Sequence, residues 1–242
     1  MKQLVLFGAT LLCLLSAAAQ PKTFRSSLGS FTVDDFGPGI LRIRFLPTHK
    51  FPGESISDAV VAKPSGKKVS PDIHSIDGAL VIPTADGNLV MDYHERNGMH
   101  GLTFVLEEGE KIFGGGERAL PLNRRGYRLN LYNNPWYGYG EGADNLNYSV
   151  PFVTSSHGYG LFFDNPAKGY LDIGKEFNSI MEYGTASGAL TVYVLLGDYK
   201  EILRSYYRLT GTQPLPPRWA MGNLMSRFGY TSEAQVRDIL SK

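Results

Sequence analysis

Cysteine is almost missing from this 242-residue chain: the single thiol, Cys13, lies in an apolar stretch near the start. With that stretch removed as a leader, disulfides, thiolate metal sites and cysteine nucleophiles are excluded together. An excess of charge of one sign is missing too. Lys and Arg number 24 against 23 Asp and Glu, a formal charge of +1, so no basic field is available to hold nucleic acid by its phosphates. Histidine is scarce, with His49, His74, His94, His100 and His157 scattered along the chain. None has a second ligand at a recognised spacing, and no metal or other cofactor is expected. No apolar run reaches the roughly 20 residues that span a bilayer, and no G-x-S-x-G elbow or internal repeat is present.

What the chain has in quantity is glycine (28), proline (14), and a 43% hydrophobic and 12% aromatic content. That composition buries a substantial core with many turns, and it points to a mainly β protein of one large domain, or one domain with part of another. Residues 1–20 place Lys2 before an apolar run and then Ala17-Ala18-Ala19, the order of a secretory signal. Export to a periplasm or the outside is expected, with no membrane anchor, because the apolar run is too short for a spanning helix.

Residues 24–106 alternate with period two, as in Leu41, Ile43 and Phe45, and Asp86-Gly87 marks a hairpin turn. Antiparallel strands are the expectation, and they return at residues 159–164, 170–173 and 189–196. Asp198 and Glu201 form a capping box for a helix expected to carry Ile202, Leu203, Tyr206 and Leu209 on one face. Pro214, Pro216 and Pro217 then read as a stiff joint. Beyond it, residues 219–228 have the length and apolar content of a strand, and Thr231 and Ser232 can cap a helix bearing Val236, Ile239 and Leu240. One strand and one helix cannot cover both faces of the strand, which suggests the start of a larger unit.

Three stretches invite chemistry. IFGGGERAL at residues 112–120 lacks the ending of a phosphate loop and is expected to be a tight backbone crossing. Arg124, Arg125 and Arg128 are expected on a strand face or in ion pairs. Residues 130–152 crowd Tyr132, Trp136, Tyr137, Tyr139 and Tyr148 among Asn133, Asn134, Glu141, Asp144, Asn145 and Asn147. Flat aromatic faces beside amides and carboxylates suit a polyhydroxylated ligand. An ordered loop whose aromatics simply pack on the domain is the other reading. Glu117, Glu141 and Asp144 are the carboxylates a glycosidic hydrolysis would draw on, yet nothing in the sequence fixes their separation, and no catalytic pair is assigned within this chain.

The succession GGGER (residues 114–118), NYSVPF (147–152), GYGLFFDN (158–165), YRLTGTQPLPPRWAMG (207–222) and SRFGY (226–230) resembles glycoside hydrolase family 31, the α-glucosidase and α-xylosidase family. The blocks keep the family's order over residues 112–242, and earlier residues match loosely. The resemblance implies a galactose-mutarotase-like β-sandwich at residues 21–210, then a linker and the first βα unit of a (β/α)8 barrel at residues 211–242. It implies retaining hydrolysis of α-linked oligosaccharides by two aspartates on later barrel strands, both past Lys242, so that this chain alone is inactive. A sandwich loop in the family helps bind sugar over the barrel mouth. The matching stretch here is Leu131-Tyr132-Asn133-Asn134, with Asn134 where an aspartate is usual and Asp144 able to supply the charge. Phe228 matches a position lining the sugar pocket, or else packs in the barrel core. The candidate substrate-binding residues are thus Asn133, Asn134, Trp136, Tyr137, Asp144 and Phe228. Two other readings stay open: a stand-alone sugar-binding sandwich, and a mutarotase-like activity, which needs a histidine and carboxylate in one cleft. Oligomeric state is left open.

Overall fold

The computed structural model describes residues 20–49, 57–134, 138–143, 146–224 and 229–242. They divide into two compact units, residues 1–211 and 212–242. The first contains fourteen strands: β1 (Lys22–Arg25), β2 (Gly29–Gly37), β3 (Ile40–Pro47), β4 (His74–Ile76), β5 (Ala79–Thr84), β6 (Gly87–Arg96), β7 (Met99–Val105), β8 (Ile112–Gly114), β9 (Tyr127–Leu131), β10 (Phe152–Ser155), β11 (Tyr159–Phe163), β12 (Gly169–Ile173), β13 (Ile180–Thr185) and β14 (Leu190–Leu196). They form two seven-stranded sheets ordered β1-β2-β3-β14-β11-β10-β8 and β4-β5-β6-β7-β13-β12-β9. Neighbouring strands pair antiparallel throughout.

Alternation along the strands builds the core. Leu41, Ile43 and Phe45 of β3, Leu102 and Phe104 of β7, and Val192 and Val194 of β14 point between the sheets, where they meet Phe31, Phe163 and Leu171. Phe45 stacks on Tyr93 and Phe163 on Tyr183, each pair at 4.1–4.3 Å between centroids, so aromatic stacking across the sandwich adds to the area buried. The outer face of the first sheet carries a second apolar cluster, in which Phe36, Ile40, Phe162, Tyr193 and Leu195 lie under Ile202 and Leu209. These two belong to helix α1 (Tyr199–Thr210), capped by the Asp198/Glu201 box. Strand β11 is buried at every position because it serves both clusters, which is why its sequence reads as a continuous apolar run.

Two expectations need correction. Leu203 does not share the buried face of α1: the helix buries Ile202, Ser205 and Leu209, while Leu203 is 45% exposed. At 100° per residue it lies a quarter-turn from Ile202, so hydrophobicity without helical phase misplaces it. The strand expected from residue 219 is not formed in its described part, where Arg218–Met221 make a 3-10 turn. With no neighbouring strand among the described residues, its amides close locally, Ala220 N to Pro217 O at 2.9 Å and Gly222 N to Trp219 O at 3.2 Å. The second unit also contains helix α2 (Glu233–Leu240), whose N-cap Ser232 accepts from Gln235 N. Among the described residues no helix is long and apolar enough to cross a membrane.

Candidate functional site

The loop after β9 is held from below by backbone geometry few sequences could adopt. Gly114, Gly115 and Gly116 all have positive φ, at 105°, 82° and 88°, a region where side chains other than glycine are strained. A Cβ on Gly116 would stand 2.5 Å from Tyr148 O, and one on Gly114 would stand 2.6 Å from Phe152 O. The glycine run is therefore the tight crossing expected from its sequence, and it crosses the far end of the 130–152 loop.

Arg118 ties the two ends of that loop together. Its buried guanidinium donates to Gly115 O (3.1 Å), Asn130 O (2.7 Å) and Ser149 Oγ (3.0 Å). Backbone bonds add to the closure: Gly115 N to Phe152 O at 2.9 Å, Glu117 N to Tyr148 O at 2.8 Å, and Gly142 N to Ala119 O at 2.8 Å. Asn133 joins them, its Oδ1 accepting from Ser149 N at 2.8 Å. Charge-assisted bonds from a buried arginine are worth about 1.5–3 kcal/mol each at most, and two to backbone carbonyls and one to a serine hydroxyl converge here. The other arginines behave similarly and only partly as expected. Arg124 donates to Gly114 O, Leu120 O and Pro121 O, and Arg125 to Glu107 O, Glu110 O and Asn178 O. Of these three, Arg128 lies on a strand face in ion pairs as expected, 3.6 Å from Asp172 and 3.9 Å from Glu176.

On this braced base three of the loop's aromatics are exposed: Tyr132, Tyr139 and Tyr148 at 52%, 51% and 61%, and Lys168 Nζ stands 5.4 Å from the centroid of the Tyr132 ring. Asn133 and Asn134 are exposed beside them. Glu117 and Glu141 are exposed as well. Trp136, Tyr137, Asp144 and Phe228 lie outside the described residues.

The second sheet holds a cluster that the sequence did not announce. Glu182 of β13 sits nearly buried on the outer face, with His94 Nε2 of β6 at 3.5 Å, Arg96 Nη1 at 3.6 Å and the Tyr170 hydroxyl donating to it. Arg128 covers the Tyr170 ring at 3.7 Å. Burial, with help from Glu182, pushes the Tyr170 hydroxyl up to about 12, and burial holds the His94 imidazole below its ordinary value, so the ring is neutral near pH 7. Both rings fit because Gly101 and Gly184 face each other across β7 and β13. A Cβ on Gly101 would meet His94 at 2.7 Å, and one on Gly184 would meet Tyr170 at 2.3 Å. The histidines are thus not all scattered. Yet His94 and Glu182 have side chains only 12% and 7% exposed, so the pair is packed into the sheet surface. A second buried carboxylate, Glu110, accepts from Tyr159 Oη at 2.5 Å, from Ser155 Oγ and from Glu107 N at 2.9 Å, and closes the turn before β8. No group of three His, Cys, Asp or Glu among the described residues is placed to hold a metal ion.

Comparison with known proteins places these observations. The family model of the glycosyl hydrolase 31 N-terminal galactose mutarotase-like domain matches residues 30–172. The α-glucosidase 2 of Bacillus thermoamyloliquefaciens is 28% identical over 90% of this chain and 31% of its own length. An α-xylosidase of Saccharolobus solfataricus is 27% identical over 78% of this chain and 27% of its own. Among solved structures, the Flavobacterium johnsoniae family 31 dextranase complexed with glucose superposes with a TM-score of 0.76 at 26% identity, covering 93% of this chain and 32% of that one. A mutant of the same dextranase is complexed with isomaltotriose. The chain spans about a third of the length of these relatives. With a match across more than half of its residues, the chain belongs to glycosyl hydrolase family 31, whose N-terminal galactose mutarotase-like domain it contains.

Proposed function

We propose that this chain is the exported N-terminal part of a retaining α-glycosidase acting on α-linked oligosaccharides, and that its sandwich presents the 130–152 loop to the sugar. The observation that carries the reading is the loop itself, clamped at its base by Arg118 and the three glycines while Tyr132, Tyr139 and Tyr148 stand in water beside Asn133 and Asn134. A rigid base with outward aromatics and amides offers a sugar ring an apolar face and hydrogen-bonding edges at little ordering cost. In the parent, one carboxylate attacks the anomeric carbon to form a glycosyl-enzyme. The other protonates the leaving oxygen and then activates water, which needs carboxyl groups about 5–5.5 Å apart. Both lie past residue 242 on this proposal, and the sandwich supplies positioning alone. Trp136, Tyr137, Asp144 and Phe228 complete the proposed substrate-binding set. Residues 1–20 act as the signal that exports the protein.

The names of the relatives support an α-glucoside or α-xyloside as substrate. The test is an assay of this chain and of the polypeptide read beyond Lys242 on a panel of α-glucosides and α-xylosides. The longer protein is expected to hydrolyse at least one of them with retention of configuration, and this chain none. A reading frame that stops at residue 242, with sugar binding by the chain alone, replaces the hydrolase by a stand-alone carbohydrate-binding sandwich. Binding is the favoured activity there, because the outward tyrosines serve either case.

A further inference from the structure

The outer face of the second sheet carries a strip that the proposed function leaves unused. Three rings on it each face a cation: Lys168 Nζ stands 5.4 Å from the Tyr132 centroid, the Arg128 guanidinium 3.7 Å from Tyr170 and the Arg96 guanidinium 5.8 Å from Phe177. Strand register brings the first two pairs together. Leu129, Leu131, Leu171 and Ile173 point into the core, so Arg128, Tyr132, Tyr170 and Asp172 face outward. Gly169 pairs with Leu131, which sets Lys168 beside Tyr132, two residues and about 7 Å along the strand from Tyr170. Side chains link the second pair to the third. Glu176, in the turn after β12, lies 3.9 Å from Arg128 and 3.4 Å from Arg96. The two rings furthest apart in this succession, Tyr132 and Phe177, are both 52% exposed.

Between the exposed rings the strip is rich in donors that the fold does not satisfy. Arg128 makes no hydrogen bond among the described residues, and its ion pairs at 3.6 and 3.9 Å are longer than the roughly 2.7–2.9 Å of a charge-assisted bond. Arg96 reaches Glu176 at 3.4 Å and Glu182 at 3.6 Å. Both guanidinia are more than a third exposed, and a planar fork held over a ring presents its N–H groups at little ordering cost. The charges balance: Lys168, Arg128 and Arg96 stand against Asp172, Glu176 and Glu182. Such a surface has no field to draw an anionic polymer, and no apolar centre of the kind a protein partner needs. Exposed ring faces with hydrogen-bonding groups between them suit a neutral, polyhydroxylated chain. We propose that this strip, from Tyr132 and Lys168 across Arg128 and Arg96 to Phe177, binds an oligosaccharide and lengthens the sugar site beyond the 130–152 loop. The inference rests on the proposed function for the identity of that sugar.

The test is calorimetric titration of this chain with isomaltotriose, the ligand of the dextranase mutant, and with a longer oligomer of the same α-linked series. The longer oligomer is expected to bind more tightly, and Phe177→Ala to weaken its binding about fivefold, the loss of one aromatic contact. Arg128→Lys keeps the charge but loses the fork and the stack, and should weaken binding by a similar factor. Phe177 lies outside the core, so its replacement leaves the sandwich folded, with the melting temperature as the check. In a parallel titration followed by NMR, the amides of Lys168, Glu176 and Phe177 should shift. Equal affinity of both variants and the native chain, with shifts confined to the 130–152 loop, overturns the strip and leaves the proposed function standing. No binding at millimolar oligomer also overturns it. The hydrolase is read separately: a chain that binds through Phe177, while the longer polypeptide cleaves no α-glycoside, keeps the strip and removes the hydrolase.

Discussion

Strands β11 and β12 are buried at every position, while the 3-10 turn and α2 of residues 212–242 bury no residue at all. The contrast does not come from composition. Trp219, Met221, Leu224 and Leu240 are as apolar as the side chains of the sandwich, yet they are 74%, 73%, 68% and 76% exposed. It comes from the number of neighbours a segment brings with it. Each central strand of the sandwich has a hydrogen-bonded strand on both sides and an apolar layer on at least one face. Helix α2 has eight residues, below the roughly 12–15 at which an isolated helix becomes even marginally stable. Its ion pairs, Glu233 with Arg237 at 2.7 Å and Asp238 with Lys242 at 2.9 Å, are exposed and of the kind worth a few tenths of a kcal/mol. A sheet-forming domain can close on itself. The 3-10 turn and α2 bring no such layer with them.

The sharpest way to break the contrast is in the core. Phe163 is fully buried, stacked on Tyr183 and edge-on to Phe104, so Phe163→Ala is expected to destabilise the sandwich by about 4 kcal/mol in urea unfolding. A loss below about 1 kcal/mol would mean that the two sheets repack freely, and that the sandwich is no more constrained than the unit after it. Next comes the glycine pair. A methyl at residue 101 would stand 1.8 Å from Tyr183 O, against backbone that cannot move without breaking the β7–β13 ladder. At residue 184 it would meet the Tyr170 ring at 2.3 Å, a side chain that can swing away at the loss of its bond to Glu182. Gly101→Ala is therefore expected to cost about 3 kcal/mol and Gly184→Ala about 2 kcal/mol. The reverse order would show that the polar cluster, and not the backbone, sets the cost.

Those glycines also mark where the sequence ceased to be legible. Alternation showed β3 because Arg42 and Arg44 separate the inward Leu41, Ile43 and Phe45, and it showed β14 by the spacing of Leu190, Val192 and Val194, although Tyr193 and Leu195 between them are buried on the outer face under α1. The capping box showed α1. Strand β13 escaped because Glu182 and Gly184 occupy outward positions, and their meaning depends on His94 and Tyr170, which reach them only through the register of β6, β7, β12 and β13. Arg118 was equally hidden, since its partners are backbone carbonyls and a serine brought together by loop closure. Within the loop, the sequence singled out Asn133 for sugar, and the structure gives its side chain a bracing bond to Ser149 N as well. Apolar character placed Leu203 on the wrong face of α1, and an apolar run suggested a strand at residue 219 where no partner strand exists among the described residues.

A smaller effect separates the units by pH. Burial keeps the His94 imidazole below its ordinary value near 6.5, with Arg96 and His100 adding to the lowering and Glu182 and Asp92 opposing it. In the unfolded chain the ring takes up its proton at the ordinary value. Below about pH 6.5 the unfolded state therefore binds more protons than the fold, and stability falls as pH falls. Asp164 is held above its ordinary value, chiefly by burial, and acts in the opposite sense at lower pH, since the fold keeps its proton more readily. The His94 part is isolated by difference: between about pH 7.5 and 5.5 the melting temperature of the native protein should drop more than that of His94→Gln. Equal drops would remove His94 from the account. Residues 212–242 contain no histidine and should show no such slope.

The smallest expected effect bears most directly on what the second unit is. Trp219 is three-quarters exposed, so in this chain Trp219→Ala has little area to lose and should change stability by no more than about 0.5 kcal/mol in urea unfolding monitored by circular dichroism. On the proposed function the same side chain opens a barrel in the longer polypeptide, where a buried tryptophan is worth about 3–5 kcal/mol. The substitution is thus nearly silent in one protein and severe in the other, and the ratio measures how far the unit depends on the polypeptide beyond it. A large loss in this chain would mean that residues 212–242 already have a core of their own. Near-silence in both would leave Trp219 on the surface of the complete protein and take it out of the barrel, and the contrast between the two units would then be permanent.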